Sequence, residues 1–315
     1  MKIALVSNGD IPPFKYGGTQ RVVAWLAKGL LNLGHKVYII CDGQCTIQHK
    51  NLKVIKLNKE INRMRKKDRV KEEVYSYIPS EVDLVHLHFN PKEEPSFPYL
   101  ITFHWLGKAQ SDFSGTIKPN TIFASEKHAA LNGRTQYVHH GLDPDEFVYK
   151  HKKSSRFLFL SKVSYSPKNV KTAIRLAKKL KFKLDIAGGW RLNFSRYLKY
   201  HGMVGGQNKK RLLSDSKALI FPTLIEEPFG LVTIEALASG TPVISSENGA
   251  MPEIITSDVG FRCSNFNEYI AAIRKIDEID SVKCRERVLN KFTHIHMARG
   301  YLNYYQQVLE KGSID

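Results

Sequence analysis

Short apolar runs alternate with glycine-containing turns and amphipathic segments along the chain. KIALVS (2–7) and KVYIIC (36–41) flank a segment whose Val22, Val23, Leu26 and Leu30 share one helical face, with Thr19 placed to cap its start. Further apolar runs predicted as strands cover 83–88, 99–104, 121–125 and 136–140. This alternation is typical of a parallel sheet with helices on both faces.

The pattern starts again after the polar, proline-bearing segment 141–155. Strands are predicted at 156–163, 183–189, 217–223 and 242–246, and helices at 168–181, around 208–214 and at 292–310. The chain is therefore predicted to be an α/β protein with two Rossmann-like, doubly wound domains. These span 1–147 and 148–291, and a C-terminal helix and tail follow at 292–315.

Composition agrees with a globular protein, since 42% of the 315 residues are hydrophobic and 10% are aromatic. MKIALVSNGD is typical of a strand and not of a secretory signal, and no apolar run is long enough to span a bilayer. We therefore expect a cytoplasmic protein, in which Cys41, Cys45, Cys263 and Cys284 are reduced thiols.

The net charge of +18 is concentrated in 151–217, where 18 Lys and Arg stand against 2 Asp and Glu. One interpretation is a solvated basic face, because Lys171, Arg175 and Lys178 lie on one stripe of a predicted helix. The other is an anionic partner, which is a phosphate ligand, an acidic polymer or a membrane surface. The basic segment 59–73 likewise either docks on an anionic membrane at the inner face or is a solvated helix.

The stretch EEPFGLVTIEALASGTPVI (226–244) carries the most specific chemistry. Its strand, glycine turn and helix start predict an anion site, because the first helical amides have no intrahelical acceptor. Glu235, one turn into the helix, would repel a phosphate and therefore suits hydroxyl groups beside it, as on a ribose. Glu227 suits hydroxyls at the ligand's other end. A ligand with hydroxyls on both sides of phosphates is a nucleotide sugar.

The longer run EEPFGLVTIEALASGTPVISSENGAMPEII (226–255) resembles the signature of the retaining glycosyltransferases of family 4. That family has the GT-B fold, in which two Rossmann-like domains face each other across a cleft and a C-terminal helix crosses back to the first domain. The resemblance implies that Glu227 contacts the transferred sugar and Glu235 the ribose. It also implies that the donor diphosphate is held after Phe229 and Gly230, by the amides of Leu231 and Val232. The loop Asn248-Gly249-Ala250 and Glu253 match the family as well.

Two more segments resemble the family's donor site. PPFKYGGTQRVV (12–23) is similar to its first loop, which implies that Gly17 and Gly18 let the backbone approach the diphosphate and the acceptor; the alternative is a plain flexible turn. FLSKVSYSPKN (159–169) looks like its basic pair, with Lys162 where arginine is usual and Lys168 where lysine precedes glycine. The pair would neutralise a leaving diphosphate, although Lys162 can also be read as simply exposed. Asn169 replaces the glycine.

Histidines form the last candidates. His104, at the end of the predicted strand 99–104, aligns with a family histidine beside the anomeric carbon, and a hydrogen-bonded structural role is the alternative. We expect His86 and His88 to be structural, and His139 and His140 to belong to the linker.

The resemblance implies a metal-independent transferase of carbohydrate biosynthesis. It would move a sugar from a nucleotide-diphosphate donor, expected to be a UDP-sugar, to the hydroxyl of a glycan, lipid-linked or small-molecule acceptor, with retention. Its expected catalytic residues are His104, Lys162, Lys168 and Glu227.

Asp143-Pro144-Asp145 resembles a metal-binding DxD motif, but the proline and the position at the domain boundary favour a turn. The alternatives are a sugar-nucleotide epimerase of the same fold and a basic nucleic-acid-binding protein, although 151–217 lacks strand aromatics for stacking on bases.

Overall fold

A computed structural model of the chain describes residues 1–15, 17–57, 72–106, 116–192 and 194–314. They form two compact units: a first unit of Met1–Gly141 with His294–Asp315, and a second unit of Leu142–Thr293. These units divide the chain at 141/142 and 293/294, a few residues from the boundaries expected at 147/148 and 291/292. Most of the basic segment 59–73, with its expected membrane contact, lies outside the described residues.

Each unit contains a six-stranded parallel sheet. The first is built from β1 Lys2–Val6, β2 Lys36–Cys41, β3 Leu52–Lys56, β4 Leu84–Leu87, β5 Tyr99–Phe103 and β6 Thr121–Phe123. The second is built from β7 Phe157–Leu160, β8 Leu184–Ala187, β9 Leu198–Tyr200, β10 Leu219–Phe221, β11 Val243–Ser246 and β12 Gly260–Cys263.

The helices of the described residues follow the amphipathic segments of the sequence. They are α1 Gly18–Asn32, α2 Glu126–Leu131, α3 Val170–Leu180, α4 Gly206–Asp215, α5 Leu231–Ala238, α6 Met251–Ile254, α7 Phe266–Lys275, α8 Ser281–Lys291 and α9 His294–Lys311. In α3 the apolar positions Val170, Ala173, Leu176 and Ala177 are buried, and its cations Lys171, Arg175, Lys178 and Lys179 are exposed. Burial of one apolar face is what holds such a short helix in place.

Both sheets are doubly wound. The strand order is β3-β2-β1-β4-β5-β6 in the first and β12-β11-β10-β7-β8-β9 in the second. The chain changes winding direction between β1 and β4 and again between β10 and β7, and ligands of such sheets bind at the carboxyl ends beside these positions. The prediction of a strand at 136–140 is wrong. This segment forms one isolated β-bridge to β6, between Tyr137 and Phe123, before the chain leaves the sheet.

The C-terminal helix α9 packs in the first unit, as the sequence predicted. A Cβ on Gly29 of α1 would lie 2.4 Å from the carbonyl oxygen of His294, so only glycine permits this close approach of α1 and α9.

A buried polar network also fastens α9 to the first sheet. His86 on β4 bonds through Nδ1 to the Tyr305 hydroxyl and through Nε2 to Thr102 Oγ1 on β5, each at 2.7 Å. Thr102 Oγ1 in turn lies 2.7 Å from the Tyr301 hydroxyl. Because these polar groups satisfy one another, they are buried without the cost of unpaired donors and acceptors.

Candidate active site

Lys168 and Glu227 meet at the carboxyl edge of the second sheet. Lys168 ends a short 3₁₀ turn after β7, and Glu227 lies in the loop after β10, the strand that pairs with β7. The Lys168 ammonium donates a hydrogen bond to Glu227 Oε2. The two side chains are only 16% and 14% exposed, so solvent screens this ion pair less than it screens a surface pair.

A glycine loop holds the backbone of Glu227 in place. Gly249 has φ +64°, and a Cβ there would lie 2.2 Å from the Glu227 nitrogen and 2.3 Å from its oxygen. The Ala250 amide donates to the Glu227 carbonyl at 3.0 Å, and the Gly249 amide donates to Glu226 Oε2 at 2.7 Å. The loop 248–250, which resembles the family's loop, thus fixes the backbone from which the Glu227 side chain extends. Only glycine fits at position 249, the centre of this loop.

Helix α5 follows the loop that carries Glu227 and begins at Leu231. Its N-cap is Gly230, at φ +84°, which offers no side-chain cap, and its first turn holds no acidic residue. The first amides, including those of Leu231 and Val232, therefore lack intrahelical acceptors and carry the positive pole of the helix. Phe229 is buried and its ring packs edge-on against Phe292 at 5.9 Å, which fixes the turn that starts the helix.

Glu235 has a partner that sequence reasoning missed. Its side chain is 2% exposed, and both carboxylate oxygens lie 2.6 Å from the ammonium of Lys209 on α4. A buried carboxylate needs such a partner to remain charged. Lys209 could not have been singled out because it is one of many cations in the basic segment 151–217.

The remaining basic candidate, Lys162, follows β7. Its side chain is exposed and forms no ion pair with the described residues. Asn169, which stands where the family has glycine, adopts a left-handed conformation at φ +57°. Asparagine is one of the few residues that visit this region routinely, so the substitution preserves the backbone that glycine would supply.

The excess charge of 151–217 is partly neutralised inside the second unit. Arg156 makes two hydrogen bonds to Asp185, at 2.6 and 2.8 Å, and Lys217 pairs with Asp277 at 2.8 Å. Lys153 donates to the carbonyls of Ser214 and Ser239 at 3.0 and 2.7 Å, and burial lowers its pKa to about 8. The cations that stay on the surface around α3 are Lys171, Arg175, Lys178, Lys179 and Arg191, which line one shallow groove.

In the first unit, Gly17 and Gly18 form the start of α1. Gly17 is the N-cap, with φ +147°, and a Cβ there would lie 2.8 Å from Gln20 Oε1 and 2.9 Å from Pro13 Cγ. The helix begins at Gly18, so the expectation that Thr19 caps it is wrong. As in α5, the cap carries no side chain and the first turn has no acid, which leaves the amide end of the helix open.

His104 follows β5 at the carboxyl edge of the first sheet. Its Nε2 lies 3.0 Å from Nδ1 of His88, and its ring centroid lies 5.4 Å from that of His140. Burial and the nearby His128 lower the pKa of His104 to about 3, so the ring is neutral at pH 7. His140, expected in the linker, is instead buried.

Four smaller expectations can be compared with the structure. Pro144–Glu146 form the expected turn, in which Asp143 accepts a hydrogen bond from the Asp145 amide at 3.2 Å. In the described part of the chain, no three His, Cys, Asp or Glu side chains are grouped to hold a metal ion. All four cysteines are free. None of the helices described here has both the length and the apolar character needed to cross a bilayer.

Several known proteins have sequences similar to this chain. Residues 143–288 match the model of the family "Glycosyl transferases group 1". An uncharacterized glycosyltransferase of Methanocaldococcus jannaschii is 24% identical over an alignment covering 82% of this chain and 84% of its own. A GDP-mannose-dependent alpha-(1-6)-phosphatidylinositol dimannoside mannosyltransferase of Mycobacterium tuberculosis is 34% identical over 34% of this chain and 28% of its own.

Among solved structures, AviGT4, a glycosyltransferase involved in avilamycin A biosynthesis, superposes with a TM-score of 0.79. It is 24% identical in sequence, and the match covers 98% of both chains. The fold is therefore GT-B. The match to the family model and the named glycosyltransferase relatives together identify the chain as a glycosyltransferase. The match to the glycosyl transferases group 1 covers residues 143–288, which is most of the second unit.

Proposed function

We propose that the chain transfers a sugar from a nucleotide-diphosphate sugar to an acceptor hydroxyl, with retention of anomeric configuration and without a metal ion. The observation that carries this proposal is the Lys168–Glu227 ion pair beside the uncapped start of α5. A carboxylate suits sugar hydroxyls, while a cation and free amides suit a diphosphate. The match of residues 143–288 to the glycosyl transferases group 1 supports the same assignment.

The ion pair resolves a conflict in such a site. A lone carboxylate beside a diphosphate would repel it, whereas Glu227 already neutralised by Lys168 permits the anion to approach. Glu227 would accept hydrogen bonds from the transferred sugar through its remaining lone pairs. Glu235, held by Lys209, would accept them from the ribose hydroxyls in the same way.

The positive charge available to the leaving diphosphate comes from several groups. These are the α5 amides of Leu231 and Val232, the ammonium of Lys168 and the exposed ammonium of Lys162. They are in place before the reaction, so they stabilise charge that develops as the glycosidic bond breaks. Lysine at 162 acts as a point charge and lacks the bidentate grip of the arginine usual in the family.

We propose front-face displacement as the chemical step. The bond between the anomeric carbon and the diphosphate oxygen breaks, the acceptor oxygen bonds to the same face, and its proton passes to the departing diphosphate. The protein would contribute by positioning the two substrates and by electrostatic stabilisation. Gly17 and Gly18 would let backbone amides approach the substrates, and His104 would orient the donor.

The proposal extends to the classes of donor and acceptor. We propose a UDP-sugar as donor, and a glycan, lipid-linked or small-molecule hydroxyl as acceptor, in a cytoplasmic or membrane-peripheral setting. The mycobacterial relative uses GDP-mannose by name, so guanosine donors belong in the same test.

A donor panel tests this function. UDP-, GDP- and ADP-sugars, each in EDTA, are screened for thermal stabilisation of the full chain, since a ligand of the folded state raises Tm. Stabilising donors are then incubated with candidate acceptors, and the anomeric configuration of the product is read by NMR. A retained anomer formed in EDTA supports the proposal. An inverted product, or one that needs a divalent ion, contradicts it.

The same experiments identify the alternative functions. A sugar that changes without any acceptor indicates an epimerase. Salt-sensitive binding to arbitrary DNA with no affinity for nucleotides indicates a nucleic-acid-binding protein.

A further inference from the structure

Three histidines lie side by side on adjacent strands of the first unit. His86 is on β4, His88 follows that strand, and His104 follows the neighbouring strand β5. The ring centroids of His86 and His88 are 4.4 Å apart, and those of His88 and His104 are 5.3 Å apart, both pairs being stacked. Their arrangement places the buried His88 directly behind the partly exposed His104.

His88 and His104 share one hydrogen bond, between Nδ1 of His88 and Nε2 of His104 at 3.0 Å. Burial, with the neighbouring histidine rings, lowers the pKa of both residues well below the usual value, so both rings are neutral at pH 7. A neutral imidazole carries one proton on one of its two nitrogens. One of the two facing nitrogens must therefore donate, and the other must be bare.

The second nitrogen of His88 decides which one donates. His88 Nε2 is buried, and within the described residues it has no hydrogen-bond partner. A buried N–H without an acceptor is rare, because such a donor loses its water without replacement, and a bare nitrogen is tolerated better. The proton of His88 therefore belongs on Nδ1, where it is donated to His104.

From this contact we infer that His88 fixes His104 as the tautomer protonated on Nδ1. His104 then presents an N–H and acts as a hydrogen-bond donor and not as a general base. Its Nδ1 makes no hydrogen bond to the described residues, which leaves that N–H for a ligand. Under the proposed function, on which this step rests, the acceptor of that bond is an oxygen of the donor substrate. His88 is a positioning residue, which acts through His104.

Long-range ¹H–¹⁵N NMR spectra of the ¹⁵N-labelled full chain test the assignment directly, with His104→Gln identifying the resonances. We expect His104 Nε2 at the shift of an unprotonated ring nitrogen and Nδ1 at that of a protonated one. A proton on Nε2 of His104 would overturn the inference. The spectrum needs no turnover, so it stays informative even if no nucleotide sugar proves to be a substrate.

A matched pair of variants tests the positioning role. His88→Leu removes the donor, so we expect a mixture of His104 tautomers and a fall in kcat of about tenfold, which is less than the roughly 100-fold loss for removing a preorganised donor itself. His88→Asn places an amide N–H near the former Nδ1 and should restore both the single tautomer and most of the turnover. If His88→Leu leaves the tautomer and kcat unchanged, His88 has no such role. Should His88→Leu fail to fold, the wild-type spectrum and His88→Asn decide.

Discussion

Lys209 and Glu235 form a buried ion pair that connects α4 to α5. Both carboxylate oxygens lie 2.6 Å from the ammonium, and the Glu235 side chain is 2% exposed. The acidic residue that we assign to the ribose is therefore fixed in position before any ligand arrives. Fixed polar groups bind with a smaller entropic cost than mobile ones.

Lys209→Met should destabilise the second unit by about 3 kcal/mol, because it removes the ammonium that neutralises a buried carboxylate. Adding Glu235→Gln removes that charge, so the double variant should regain most of the lost stability. Urea unfolding followed by circular dichroism measures both. Arg211→Met, an exposed cation on the same helix, is the matched control and should change little. Equal stability of Lys209→Met and the control would show that the Lys209–Glu235 pair does not stabilise the second unit.

Gly249→Ala should displace Glu227, because the new Cβ would lie 2.2 Å from the Glu227 nitrogen. A shift of about 1 Å in a catalytic group can lower activity by about 100-fold, and we expect a loss of that size in kcat/KM. Gly34→Ala is the control: it also has positive φ, at +86°, but has no atom within 4 Å of the added Cβ. Equal losses in the two variants would mean that backbone strain alone accounts for the effect.

Stability should decrease in acid because of the buried histidines. Burial holds the pKa values of His86, His88 and His140 well below the ordinary value in the folded chain. The unfolded chain therefore binds more protons as pH falls below about 6.5, and each such histidine contributes up to about 1.4 kcal/mol of lost stability per pH unit.

Unfolding free energies measured between pH 7.5 and pH 5, by urea titration at about half-unit intervals, test this dependence. His88→Leu should reduce the slope by about one histidine's contribution, although the variant is less stable overall. His49→Leu, which changes an exposed histidine, should leave the slope as it is. A wild-type chain with no slope in this range would refute the explanation.

The sequence predicted the elements with strong periodicity and the local motifs. The alternation of apolar runs located β1, β2 and the amphipathic α3, and Gly230 marked the start of α5. The short β9 and β12 were missed, since three or four residues of mixed burial show no clear period.

Contacts between distant residues were beyond reach from one sequence. Lys209 with Glu235 and His86 with Tyr305 are 26 and 219 positions apart. Nothing local in the chain distinguishes Lys209 or Tyr305 from its neighbours of the same type. Only the folded topology selects the partners.

Lys168 and Glu227 should couple in donor binding. In the wild-type background, Lys168→Met removes the cation that neutralises Glu227 near the proposed diphosphate position. It should therefore weaken donor binding more there than in a Glu227→Gln background, where that carboxylate is absent. The coupling free energy is calculated from the donor dissociation constants of the wild type, the two single variants and the double variant. It should exceed about 1 kcal/mol, because solvent screens this ion pair only weakly. Strictly additive effects would show that the pair does not act as a unit.

The most direct test of the central claim is calorimetric titration of UDP, GDP and ADP into the full chain in EDTA. We predict that one of them binds without a divalent ion and that Lys168→Met weakens its binding at least about tenfold, as expected for a lost charge-assisted hydrogen bond. Lys178→Met, an exposed lysine on α3, should bind as the wild type does. Binding that requires added metal, or that is unchanged in Lys168→Met, would contradict the account.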